Sequence, residues 1–205
     1  MIAIVDYGVG NLFSLKCSLA AIGHEAVVTG DKQKLERADR IILPGVGAFG
    51  DARAKLAASG LDKTVTELAR AGKPLLGICL GMQMLFDRSY EFGEFDGLGL
   101  IPGVVLPIRD ELDKAGLGLK IPHIGWNALD IVKDHKILRN TRQGEHMYFV
   151  HSFYAARCDA DVVATTSYGV TLTAAVARDN VMGAQFHPEK SGEAGLRLLS
   201  AFAEM

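Results

Sequence analysis

Short apolar runs alternate with longer amphipathic stretches through the first half of the chain, the pattern of parallel strands joined by helical crossovers. Ile2 to Asp6, Glu25 to Thr29, Arg40 to Leu43 and Pro74 to Cys79 read as strands. Between them, Leu12 to Ile22 and Asp51 to Ala71 carry apolar residues at helical spacing, with Gly23 and Gly72 where a helix would end. The second half is richer in turn residues and β-branched side chains. Val104 to Ile108, Met147 to His151, Val162 to Ser167, Thr173 to Ala177 and Val181 to Gln185 read as strands there. Several should be antiparallel, because their connections are too short for helical crossovers. Gly192 to Glu204 reads as a closing amphipathic helix, and Asp87 to Gly97 and Asp110 to Leu119 as exposed loops. The predicted fold is α/β: a mixed, mostly parallel central sheet, flanking helices and an antiparallel C-terminal part.

Composition narrows the class. With 205 residues, 49% of them hydrophobic and 22% charged, the chain can bury a substantial core, and one globular domain over residues 1–205 is expected. No repeat, linker or low-complexity tract interrupts it. The net charge of −2, with both signs interspersed, offers no broad attraction for nucleic acid or anionic lipid. No stretch approaches the roughly 18 to 20 apolar residues that span a bilayer, and no basic region precedes the first apolar run, so a cytoplasmic location is expected. The pattern calls for no metal and no cofactor. Cys17, Cys79 and Cys158 are too few and too scattered for a disulfide framework. The useful question is whether one of them is a nucleophile.

Gly77-Ile78-Cys79-Leu80-Gly81 follows the apolar run Pro74-Leu75-Leu76 and precedes the helix-compatible Met82-Gln83-Met84-Leu85-Phe86. This is the form of a nucleophile elbow with cysteine in place of serine. A sharp strand-to-helix turn strains the nucleophile's backbone, and glycines two residues to either side let neighbouring chain pack closely. Unpaired N–H groups at the helix start favour a thiolate. The pentapeptide alone also fits a buried structural cysteine.

Near the C-terminus, Val181-Met182-Gly183-Ala184 leads into Gln185-Phe186-His187-Pro188-Glu189. A histidine and a glutamate two apart, held by proline, can present both side chains on one side of an extended turn. That suits His187 taking a thiol proton while Glu189 fixes its tautomer. The plainer alternative is a solvated loop in which Glu189 pairs with Lys190. His24, His123, His135, His146 and His151 are rival bases, but none has a carboxylate two residues away across a proline.

Pro44-Gly45-Val46-Gly47-Ala48-Phe49-Gly50 satisfies the G-x-G-x-x-G pattern of dinucleotide-binding folds. It follows the third strand rather than the first, and the next strand ends in Cys79 where such folds place an acidic residue. Such a turn can instead aim backbone N–H groups at an oxyanion, and the Val46 and Leu80 amides are the candidate pair.

Together, the Pro44–Gly50 turn, the Gly77–Gln83 elbow and the Gln185–Ser191 segment resemble the triad-type, class I glutamine amidotransferases. Within that family, four segments are similar to the glutaminase subunits of imidazole glycerol phosphate synthases: Asp6-Tyr7-Gly8-Val9-Gly10-Asn11, Pro122-His123-Ile124-Gly125-Trp126-Asn127, Tyr148-Phe149-Val150-His151-Ser152 and His187-Pro188-Glu189-Lys190-Ser191. The likeness covers essentially the whole chain. It implies a three-layer, flavodoxin-like fold and a triad of Cys79, His187 and Glu189. It also implies an L-glutamine pocket lined by Gly47, Gln83, Glu91, His151 and Ser152. The implied partner is a (β/α)₈-barrel cyclase of histidine biosynthesis, forming a heterodimer through Trp126, Tyr148 and Lys190. That partner uses the ammonia to make imidazole glycerol phosphate and an aminoimidazole carboxamide ribotide. The family further implies an oxyanion turn that reaches its working arrangement only once the acceptor binds the partner. For Trp126 the plainer reading is a core tryptophan, and for Lys190 a solvated charge. Neighbouring readings are the glutaminase of pyridoxal phosphate or guanylate synthesis, and a stand-alone cysteine hydrolase of related fold.

Overall fold

In a computed structural model, which describes residues 1–205, the first half runs β1 (Ile2–Val5), α1 (Leu12–Ala21), β2 (Ala26–Thr29), α2 (Lys32–Arg37), β3 (Arg40–Leu43), α3 (Phe49–Ala58), α4 (Leu61–Arg70), β4 (Leu75–Ile78) and α5 (Leu80–Gln83). The second half adds β5 (Arg88–Ser89), β6 (Phe95–Asp96), β7 (Val104–Pro107), α6 (Ile108–Lys114), β8 (His123–Ala128), β9 (Asp130–Ile131) and β10 (His146–His151). It ends with β11 (Phe153–Ala156), β12 (Val162–Tyr168), β13 (Val170–Arg178), β14 (Val181–Ala184) and α7 (Gly192–Ala203).

Eight strands form the central sheet in the order β2-β1-β3-β4-β14-β13-β12-β9. The strands from β2 to β14 are parallel, and β13, β12 and β9 continue the sheet antiparallel. β1 and β4 are buried at every position, as strands covered on both faces must be. Their side chains alternate between two cores with the period of two that a strand imposes. Ile2, Ile4, Ile42, Leu76 and Ile78 pack with Leu15 and Leu19 of α1 and Leu198, Leu199 and Phe202 of α7. Ala3, Val5, Ile41, Leu43 and Leu75 pack on the other face with Leu35 of α2, Phe49 and Leu56 of α3, and Val65 of α4. Three layers result. No helix is long and apolar enough to cross a membrane.

Three expectations need correction. The single helix expected over Asp51 to Ala71 is two, because Gly60 adopts φ +68° and turns the chain between α3 and α4. The first half of the loop expected over Asp110 to Leu119 is helical: α6 opens after Pro107 and runs to Lys114, and Ile108 and Leu112, four apart, share its buried face. The segment Asp87 to Gly97 is not simply an exposed loop. It contributes β5 and β6 to a four-stranded sheet of order β11-β7-β5-β6, and it buries Ser89 and Glu91.

The parallel register places the functional segments together. Ile78 pairs with Ala184, so the chain leaves β4 and β14 side by side, and the Cys79 N–H donates to the Ala184 carbonyl at 2.7 Å. β3 lies on the other side of β4, and Pro44 starts the glycine turn just beyond it. The carboxyl ends of β3, β4 and β14 therefore converge, where open α/β sheets bind their ligands.

Candidate active site

Cys79 has φ +54° and ψ −112°, a conformation that costs a non-glycine residue about 1–3 kcal/mol. A Cβ on Gly81 would lie 1.9 Å from the Leu43 carbonyl oxygen, one on Gly77 would lie 2.7 Å from the Gly81 carbonyl oxygen, and one on Gly45 would lie 2.7 Å from the Gly81 nitrogen. These glycines are required by space, and they clamp the Pro44 turn directly against the elbow. Gly47 is different: its Cβ position is open, but its φ of +91° suits glycine. The Tyr7 hydroxyl donates to the Pro44 carbonyl at 2.8 Å and anchors the turn from β1's end.

Glu189 Oε1 lies 2.9 Å from His187 Nδ1, and both side chains are almost fully buried. The solvated-loop alternative for this pair is thereby excluded, and Glu189 faces the imidazole rather than Lys190. With Nδ1–H turned to Glu189, Nε2 is the ring nitrogen left to exchange a proton with the sulfur. Burial pulls the His187 imidazole down, but its hydrogen bonds to Cys79 and Glu189 and their negative charges outweigh that and raise it to about 9. The other carboxylate oxygen, Glu189 Oε2, is buried without a hydrogen-bond partner.

A cavity of about 330 Å³ opens over the sulfur. Its walls bring together Val46, Gly47, Cys79, Leu80, Gln83, Glu91, His151, Ser152, His187 and Lys190. Glu189 stands behind His187, away from this cavity. Glu91 Oε2 accepts the Phe49 N–H at the start of α3 at 3.0 Å, and burial raises its carboxyl against that hydrogen bond. His151 Nδ1 donates to the Phe153 carbonyl at 2.9 Å, and its Nε2 faces His123 Nδ1 at 3.0 Å. Desolvation holds His151 down at about 3, against the Phe153 hydrogen bond, so it enters the site as a neutral ring. A larger groove of about 1150 Å³ lies at the opposite ends of the strands, around Pro74, Asp179 and Asn180, and contains none of these residues.

Trp126 is 53% exposed, which excludes the core-tryptophan reading. It meets the Tyr148 ring edge-on at 5.8 Å, and Lys190 Nζ lies 5.8 Å from the same ring's centroid. The three residues form one cluster beside the cavity mouth. The sequence pattern does not single out Gln185, which reaches the sulfur, and marks His123 only as a rival base. Gln185 had a signal available, its position two residues before His187 at the end of an apolar strand. His123 had none, because its role depends on the pairing of β8 with β10, where it stands opposite His151.

The family model of class-I glutamine amidotransferases matches residues 3–204. Imidazole glycerol phosphate synthase subunit HisH of Methanothermobacter thermautotrophicus is 51% identical, covering 100% of this chain and 98% of its own length. The HisH subunit of Syntrophotalea carbinolica is 48% identical, covering 100% of both. Among solved structures, PurLQS from Thermotoga maritima superposes with a TM-score of 0.77 at 24% identity over 99% of this chain and 97% of that one. A glutamine amidotransferase crystal structure gives 0.76 at 22% identity over 100% and 98%. At those identities the structures speak for the fold alone. Full-length identity near one half to the HisH subunits, together with the family match, carries the rest: the chain belongs to the class-I glutamine amidotransferases, in the branch formed by the HisH subunits of imidazole glycerol phosphate synthase.

Proposed function

We propose that Cys79 hydrolyses L-glutamine with His187 and Glu189, and that the ammonia passes to a cyclase subunit docked beside the cavity. The observation that carries this reading is the meeting, in the wall of one cavity, of a strained cysteine with a buried imidazole that is itself held by a buried carboxylate. The Cys79 thiolate attacks the carboxamide carbon, and the Val46 and Leu80 N–H groups hold the oxyanion. The imidazolium of His187 gives its proton to the departing nitrogen, ammonia leaves, and a γ-glutamyl thioester remains on the sulfur. Water then attacks the thioester with His187 as base, releasing glutamate and restoring Cys79. Glu91, Gly47, Gln83, His151 and Ser152 hold the amino-acid end of glutamine, with Glu91 facing its ammonium group. A cavity of this size is at the small end of ligand sites and suits a single amino acid.

Ammonia released into neutral water protonates and loses its nucleophilicity, so the chemistry favours delivery through a docked partner. A (β/α)₈-barrel cyclase fits that role, taking ammonia and a ribotide acceptor to imidazole glycerol phosphate and an aminoimidazole carboxamide ribotide. Ammonia release should be slow for the isolated chain and at least about 10²-fold faster with the cyclase and its acceptor ligand, the scale of gaining one oxyanion donor. Equal turnover in both conditions removes the coupling.

Trp126, Tyr148 and Lys190 are the proposed docking cluster. An exposed tryptophan packed on a tyrosine beside a cation has the make-up of an interface anchor. Trp126→Ala should weaken cyclase binding about 30-fold or more in a titration, with the melting transition of the free chain little changed. An unaltered Kd places the interface elsewhere.

A further inference from the structure

α5 has four residues, so Cys79 sits on a single helical turn and the thiolate cannot lean on a long helix dipole. The hydrogen bonds around the sulfur supply another donor. Gln185 Nε2 lies 3.7 Å from Cys79 Sγ, within reach for a donor to sulfur. Gln185 has no exposed surface, and its backbone is pinned by the N–H donating to the Ala174 carbonyl at 2.8 Å.

Which end of the Gln185 amide faces the sulfur follows from the groups behind it. The Phe153 carbonyl can only accept, so the Gln83 atom 3.0 Å from it is Nε2. The same Gln83 nitrogen lies 3.0 Å from Gln185, and having both its protons committed to donation, it requires an acceptor there. That atom is Gln185 Oε1. The Gln185 NH₂ is therefore turned toward Cys79, and a flip would set nitrogen against nitrogen and a carbonyl oxygen against the sulfur.

We infer that Gln185 is a further residue of the chemical step, whose amide N–H holds the Cys79 sulfur as a thiolate and whose orientation is imposed by Gln83 and the Phe153 carbonyl. This deepens the reading of Cys79 as the nucleophile and rests on it. A donor that bonds the charged form favours that form, and it does so before glutamine arrives. The arrangement gives the sulfur two supports of different kinds. His187 supplies a proton that moves, and Gln185 supplies one that stays.

The test is the pH dependence of Cys79 alkylation by iodoacetamide in the full chain, read by mass spectrometry of the Cys79 peptide, with exposed Cys17 as internal control. Gln185→Met keeps the length of the side chain and removes its donor. Its Cys79 midpoint should rise by about one pH unit, with alkylation at pH 6.5 about tenfold slower, while Cys17 is unchanged. With glutamine as substrate, kcat should fall and KM stay close to that of the parent. Gln185→Leu should move the midpoint in the same direction, and serves in its place if Gln185→Met does not fold. A parent-like Cys79 midpoint in a cooperatively melting variant overturns the inference. Alkylation reads the sulfur without glutamine, so this outcome is distinct from failure of the nucleophile reading, which appears as glutamine hydrolysis persisting in Cys79→Ala.

Discussion

Cys79→Ala should lose glutamine hydrolysis by roughly 10⁴- to 10⁶-fold, the range seen when a covalent nucleophile is removed, while cyclase binding persists. Cys79→Gly should be equally inactive and at least as stable as the alanine variant. The second comparison tests the strain. At an unstrained site glycine is less stable than alanine by about 0.5–1 kcal/mol, because the unfolded chain gains freedom. At φ +54° the order should be erased or reversed, because only the alanine variant still carries a Cβ in that conformation. Ammonia release and thermal melts on both variants check the two claims separately. Residual hydrolysis near the parental rate in Cys79→Ala removes the sulfur from the mechanism. A glycine variant melting several degrees below the alanine variant denies that the elbow stores strain.

Much of this site is legible in the sequence because its parts are local. The elbow follows from a strand, two glycines and a helix start in one short run, and the His-Pro-Glu turn sets His187 and Glu189 two residues apart. Fold class is legible for a similar reason: buried parallel strands are continuous apolar runs, and β1, β3 and β4 are such runs. What escaped is set by distant partners. α2 has six residues with Leu35 as its one buried position, too short for a helical period to register, and Asp31 fixes its start through the Gln33 N–H. Gln185 gains its meaning from Gln83 and from a carbonyl in β11, segments far apart along the chain. His123 likewise acts only through the β8–β10 pairing that sets it against His151. The glycine turn shows the reverse case. Its G-x-G-x-x-G spelling suggests a dinucleotide, yet Gly45 serves a backbone contact with Gly81 that no motif spelling states.

Glu189→Gln should lower kcat by about 10² to 10⁴ although the side chain keeps its size, and the reason lies in the unpartnered oxygen. If the new amide keeps Oε1 on His187 Nδ1, its NH₂ takes the buried place of Oε2, an atom with no hydrogen-bond partner, and a donor left unsatisfied there costs about 1–3 kcal/mol. If the amide flips, its NH₂ donates to Nδ1, and the ring proton moves to Nε2, where it blocks acceptance of a proton from the sulfur side. Either orientation also removes a negative charge that helps to hold His187 up at about 9. The alkaline limb of kcat, set by loss of the imidazolium proton needed by the leaving ammonia, should therefore move from near pH 9 toward neutrality. Stability must follow the same sign. A histidine raised from 6.5 to about 9 by folding stabilises the protein fully below pH 6.5, and that contribution fades as pH climbs through 9. Thermal melts between those limits should thus fall less steeply in Glu189→Gln than in the parent. A variant with parental kcat and an unmoved alkaline limb means that this carboxylate orients nothing.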